Sequence, residues 1–279
     1  MRRMIGFDCQ GDRLAGTLDE ANGTTGLIIV SGGNEIRSGA YGGQASMAQH
    51  FAALGFPVFR YDRRGVGESE GINHGFESSA GDIAAAIAAF RTEAPLVERL
   101  VAFGNCDAAT SLGLFHHALE IDALLLANPW SVETSCANPD VPIPPSAAAI
   151  RARYLSRLKS PRSLIDLVTG KIDLKKLAGG LAKAAQKDAP SSLAERLATA
   201  LVASATPIHI LISERDSTAM AFMAAWKSAF FAEAWDKVAV AGFDTASHSF
   251  ADAASRQWLY AQLEEHLTNS IASGSEGGT

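Results

Sequence analysis

Three residue types stand out in one chain order: a cysteine, a carboxylate and a histidine. Cys106 lies in FGNCDAA, Asp216 in ISERDST and His248 in TASHSFAD. Such a set can do acyl chemistry. The imidazole takes or shares the thiol proton, the carboxylate orients the imidazole, and the sulfur attacks a carbonyl carbon. Around Cys106 the pattern is that of G-x-S-x-G, with cysteine for serine and Ala108 for the last glycine. A sharp strand-to-helix turn of this kind lifts the nucleophile above the sheet edge, and small residues two before and two after it let the backbones close up. Gly104 and Ala108 meet that need. A helix starting just past Cys106 would aim its N-terminal dipole at the sulfur and favour thiolate. Taken alone, Gly-x-Cys-x-Ala is equally well read as a buried cysteine at a strand end.

The surrounding chain favours the first reading. Acyl transfer needs N–H donors for the developing oxyanion. The Asp107 N–H is placed for one, and the loop IIVSGGNEIRSG offers Gly33 or Asn34 for the other, with no choice between them at this level. Asp216 follows the apolar run IHILIS and His248 follows VAVAGF, so both fall at the carboxyl ends of expected strands. The order nucleophile, acid, histidine is the one such an elbow requires. Glu214 and Asp244 compete with Asp216 for the orienting role. His50, His74, His116, His117, His209 and His266 lack comparable placement. Cys9, in a hairpin, and Cys136, in a Pro-rich segment, are expected to be incidental. The stretch RYDRRGVGESEG, with Asp62, Arg64, Gly65, Gly67 and Ser69, reads as a turn held by a buried Asp–Arg network, not as catalytic machinery.

The elements that must carry these residues alternate. MIGFDC and RLAGTLDE flank a Gln10-Gly11-Asp12 turn. Strand patterns then follow in TGLIIV, FPVFRYD, RLVAFG, IDALLLANPW, TPIHILISERD and DKVAVAGFDTASH. Helical spacing appears in YGGQASMAQHFAALG, closed by Gly55, in ESSAGDIAAAIAAFRTEA, in DAATSLGLFHHAL, in TAMAFMAAWKSAFFAEA and in FADAASRQWLYAQLEEHL, with His248 at the start of this last helix. Alternation predicts an α/β protein, a mostly parallel sheet with helices on both faces. Residues 1–129 and 207–268 form the expected core. Residues 130–206 read as a helical insertion after NPDVPIPPS, and 269–279 as a disordered tail.

The insertion carries 11 Lys and Arg against 6 Asp and Glu, whereas the rest of the chain carries 13 against 24. Those basic residues either solvate exposed helix faces or attract an anionic substrate or a phosphate-bearing carrier. The whole chain has a net charge of −6, which argues against general nucleic-acid binding. Three widely spaced cysteines fit neither a disulfide scaffold nor structural zinc. No cofactor or metal is expected. No signal peptide or stretch of about 18 apolar residues is evident, so no stable membrane insertion and a cytoplasmic location are expected. The oligomeric state is left open.

Together, the hairpin, SGGN, YDRRGVGESEG, GNCDAA, SERD and SHSF resemble the α/β hydrolases, in particular the serine-aminopeptidase-like group with a helical lid. The likeness covers about residues 4–268. GNCDA and SGGNEIRSGAYGG look more narrowly like the exosortase A system-associated hydrolases of type 1, bacterial proteins encoded with exopolysaccharide and protein-sorting genes. The resemblance implies Cys106, Asp216 and His248 as the triad of an inserted-lid α/β hydrolase acting on a small acyl substrate. Two departures matter: the usual His-Gly of the oxyanion loop is Ser31-Gly32, and the elbow serine is cysteine, as in dienelactone hydrolase. Ester, thioester or lactone hydrolysis is the expected activity. Acyl transfer to a polysaccharide or lipid precursor, and a non-catalytic binding role, are the alternatives.

Overall fold

The continuous apolar runs do what their composition dictates. Buried on both faces, they pair as parallel strands. The computed structural model describes residues 1–132 and 192–268. Eight strands form one sheet in the order β1-β2-β4-β3-β5-β6-β7-β8. They are β1 (Arg2–Cys9), β2 (Asp12–Asp19), β3 (Thr25–Val30), β4 (Val58–Tyr61), β5 (Arg99–Asn105), β6 (Ala123–Ala127), β7 (Ile208–Ser213) and β8 (Ala239–Phe243). β1 and β2 form the expected hairpin, and β2 pairs antiparallel with β4; every other pairing is parallel.

Two cores sandwich the sheet. On one face α1 (Gly43–Ala53) and α6 (Ala253–Thr268) bury Met47, Phe51, Leu259 and Leu263 against Leu27, Val101 and Leu125. On the other, α2 (Ala80–Glu93), α3 (Asp107–Phe115), α4 (Ser192–Ala203) and α5 (Ser217–Trp226) bury Ile83, Leu112, Leu197 and Phe222 against Ile28, Ala102 and Ile210. The sequence pattern of α4 falls in the expected insertion, yet its apolar stripe packs into this second core. The remainder of the insertion from 133, with its Pro-rich entry and Cys136, and the tail after 268 lie outside the described residues.

Two helix boundaries differ from the sequence pattern. The helical spacing through TAMAFMAAWKSAFFAEA is interrupted after Trp226, and Ala229–Ala234 forms a separate 3₁₀ turn. The break folds Phe231 back onto Phe222 and Trp226, with ring centroids 5.8 and 5.1 Å away. His248 does not open the last helix. Asp252 accepts from the Ser255 N–H at 3.0 Å, starting α6 there and leaving 244–251 as a loop.

Register brings three loops out side by side. Val30 is paired with both Tyr61 and Gly104, so the chains leaving β3, β4 and β5 emerge at one level of the sheet edge. Strand order reverses here, the place where open α/β sheets hold ligands. The RYDRRGVGESEG turn fastens the first loop. Fully buried Asp62 accepts from Arg37 N at 2.6 Å and from Glu68 N at 3.0 Å, and pairs with the Arg37 guanidinium. Arg64 pairs with Asp82 at 2.6 Å. The network therefore ties loops together, as the turn residues suggest. Asp62→Ala removes the acceptor of the Arg37 and Glu68 N–H groups and one partner of the Arg37 guanidinium, and should cost about 3 kcal/mol. Urea unfolding measures this; a loss below about 1 kcal/mol would show that the pair behaves as a surface bridge.

Candidate active site

Cys106 is the residue the local fold strains. It sits between β5 and α3 at φ 63°, ψ −129°, a left-handed region that L side chains avoid at a cost of about 1–3 kcal/mol. Its neighbours hold it there. The Cys106 N–H donates to Ala127 O at 3.0 Å, and its carbonyl accepts from Trp130 N at 3.2 Å and Thr110 N at 3.3 Å. Gly104 is obligatory. A Cβ there would lie 2.9 Å from Ala108 C and Ala109 N, inside the turn. Ala108 is fully buried and does the same service from the helix side. α3 begins at Asp107, so its unpaired first N–H groups and its dipole face the sulfur.

The acid and the histidine meet as their strand-end positions suggest. Asp216 caps α5, and its Oδ2 accepts from Thr218 N and Ala219 N at 3.0 Å each. The same oxygen lies 2.9 Å from His248 Nδ1. Burial works to raise the carboxyl pKa, but hydrogen bonding and the charge of His248, with the two helix N–H groups, hold it below its ordinary value. Burial likewise works to lower the His248 pKa. Asp216 and the neighbouring Cys106 side chain outweigh it and push the imidazole up to about 10. The rival acid Asp244 is instead exposed and paired with Arg215 at 2.6 Å. Among the other histidines, His116 bonds Ser204 at 2.7 Å, and His209 faces His266 at 3.2 Å. Cys9 is buried, and burial pushes its thiol up.

A group that sequence reasoning missed locks this geometry. Asn128, fully buried at the end of β6 with φ 43°, donates to His248 O at 3.0 Å. Its Oδ1 accepts from Ser213 N at 2.8 Å, three residues before Asp216. Asn105, the residue before Cys106, donates to the same His248 O at 3.1 Å. One amide pair thus joins the segments bearing Cys106, Asp216 and His248. The signal in the sequence is a polar residue closing each of three apolar runs: Asn105, Asn128 and Ser213.

The loop after β3, which carries Gly33 and Asn34, lies against the turn at Cys106. Gly32 must lack a Cβ, which would lie 2.6 Å from Asn105 O. The Gly33 N–H donates to Asp107 Oδ1 at 2.6 Å, and the Asn34 side chain accepts from Asn73 Nδ2 at 2.9 Å. A cavity of about 90 Å³ opens beside the His248 loop, between Tyr41, Gln44, Phe103, Asn105 and Phe250. Among the described residues no cluster of three His, Cys, Asp or Glu side chains could hold a metal ion, and no helix is long and apolar enough to cross a membrane.

No family model and no curated protein sequence matches this chain. Solved structures do. An esterase of Pyrococcus furiosus superposes with a TM-score of 0.63 over 96% of this chain and 90% of its own, at 13% identity. A thioesterase domain from the curacin biosynthetic pathway gives 0.58 over 96% and 99%, also at 13%. An α/β hydrolase from Sphaerobacter thermophilus gives 0.55 over 95% and 100%, at 18%. The chain has the α/β-hydrolase fold. Cys106 lies at the turn between β5 and α3, and Asp216 and His248 follow β7 and β8.

The raised imidazole pKa has a signed consequence for this α/β-hydrolase fold. An unfolded histidine loses its proton near pH ~6.5, the folded His248 near 10. The His248 contribution to stability is therefore complete below pH ~6.5 and lost as pH rises toward about 10, because the folded state binds more protons across that window. His248→Gln, which keeps a hydrogen-bonding amide, should flatten that fall in the urea midpoint. Equal slopes in the two proteins would contradict the assignment.

Proposed function

We propose that the protein hydrolyses esters, thioesters or lactones, with Cys106 as nucleophile, His248 as base and Asp216 as the group that orients it. The observation that carries this reading is the positive-φ turn at Cys106, whose side chain neighbours an imidazole already paired with a buried carboxylate. Backbone strain of this kind persists where a side chain must be presented, and a cysteine with only a packing role has no need of it.

The steps follow from those groups. His248 holds Cys106 as thiolate or takes its proton on attack. The sulfur adds to the carbonyl carbon, and the carbonyl π pair moves onto oxygen. The Asp107 N–H and an N–H of the Gly33–Asn34 turn meet that oxygen, each donor commonly worth ~3 kcal/mol. The tetrahedral adduct collapses, breaking the bond to the leaving oxygen or sulfur, which takes the proton from His248. Water, deprotonated by His248, then attacks the acyl-thioester, releases the acid and restores the thiol. A thiolate attacks well and also leaves well, so activated acyl donors suit it better than amides.

Names among the fold neighbours, an esterase and a thioesterase domain, agree with this class of reaction. The resemblance of GNCDA and SGGNEIRSGAYGG to the exosortase-associated hydrolases supports a link to bacterial exopolysaccharide or exosortase systems, with the protein acting in the cytoplasm. A second reading keeps the acyl-thioester and delivers it to an alcohol or amine. The basic segment 130–206 favours it, since a phosphate-bearing acyl carrier would be attracted there.

Pulsing the protein with p-nitrophenyl acetate and quenching in acid should leave an acetyl group on Cys106 by peptide mass spectrometry. Cys106→Ala should lower turnover by ~10⁴-fold or more. Undiminished turnover in that variant, or active wild-type protein with no adduct on Cys106, would overturn the mechanism.

A further inference from the structure

The oxyanion position is already filled from within. The Gly33 N–H bonds Asp107 Oδ1 at 2.6 Å, a charge-assisted hydrogen bond and hence a strong one. Loop and carboxylate are packed tightly: a Cβ on Gly32 would lie 2.7 Å from that oxygen. An anion thus sits on a donor that the carbonyl oxygen of a substrate needs. Two negative oxygens cannot share one N–H, because like charges at such separations repel strongly. For Gly33 to serve the reaction, Asp107 must leave it.

A destination lies next to it. The other oxygen, Asp107 Oδ2, is 3.7 Å from Arg63 Nη2. Arg63 is 4% exposed. Its Nη2 donates to Gly33 O, while its Nε and Nη1 are buried with no hydrogen-bond partner. Buried guanidinium N–H groups without acceptors are costly and rare. A planar guanidinium can receive a carboxylate through two parallel hydrogen bonds. The turn itself does not call for an arginine at this position: Asp62 and Arg64 carry its internal network.

Resting on the Cys106 reading above, we propose that Asp107 is a specificity-determining residue: its carboxylate closes the Gly33 donor and yields it to a substrate carbonyl by turning onto Arg63. Opening draws on binding energy from the rest of the substrate. A small ester has little to supply and is turned over poorly, whereas a larger acyl donor with contacts beyond the carbonyl opens the donor as it binds. The resting enzyme thereby discriminates against small activated esters.

The test uses p-nitrophenyl acetate and a short aliphatic aldehyde, which adds to Cys106 as a hemithioacetal and places an oxyanion in the same position. Asp107→Ala should raise kcat/KM on the acetate and tighten the aldehyde, each by about tenfold. Asp107→Asn, which keeps an acceptor but no charge, should fall between. Arg63→Met should weaken the aldehyde in the wild-type background and leave it unchanged in Asp107→Ala, a non-additivity that a merely structural arginine does not produce. If Arg63→Met does not fold, the Asp107 pair decides alone. Wild-type protein that cleaves the ester while Asp107→Ala is no better overturns this inference only. Failure of both the wild-type protein and Asp107→Ala to cleave the ester or bind the aldehyde overturns the Cys106 reading as well.

Discussion

The whole site depends on one strained turn. A cysteine backbone at φ 63° is unfavourable in isolation, and it survives because the β5–β6 ladder holds Cys106 N at one end and the start of α3 grips its carbonyl at the other. The turn tolerates no side chain at Gly104. Those constraints fix where the sulfur points, and the dipole of α3 follows from the same geometry. Everything else in the site is arranged toward that fixed point.

Three loops are brought to it by different means. The β3 loop is carried by a glycine that must approach Asn105 O and by Asp62, whose buried carboxylate holds Arg37. The β7 loop is fixed by the capping of α5, which costs Asp216 no freedom it would otherwise keep: one oxygen serves the helix and His248 together. The β8 loop is tied to the cap of α6, where the Thr245 hydroxyl donates to Asp252, and its His248 carbonyl is clamped by Asn105 and Asn128. Buried amide networks are rigid when every member is satisfied, and this one spans the ends of three adjacent strands.

Much of this was legible in the chain, for identifiable reasons. Apolar runs bounded by glycine or polar residues mark the strands, and the order Cys106, Asp216, His248 at strand ends singles out the three side chains. Sheet order was not legible, and what depends on it stayed hidden. Asn105, Asn128 and Ser213 look like ordinary polar strand endings until β5, β6 and β7 are known to be neighbours. The stripe of α4 was visible, but not its partner α3. The break after Trp226 was invisible because apolar periodicity continues through it, and tertiary packing of Phe231 decides otherwise. The occupation of the Gly33 N–H lies deeper still, since it needs the distance between two loops 74 residues apart in the chain.

Activation of Cys106 by His248, as proposed, is read from the rate of Cys106 alkylation by iodoacetamide as a function of pH. In the wild-type protein alkylation at pH 6 should be about tenfold or more faster than that of a free model thiol, collapsing onto the model-thiol profile in His248→Ala. A wild-type profile that already follows the model thiol, or one unchanged by loss of His248, would contradict it.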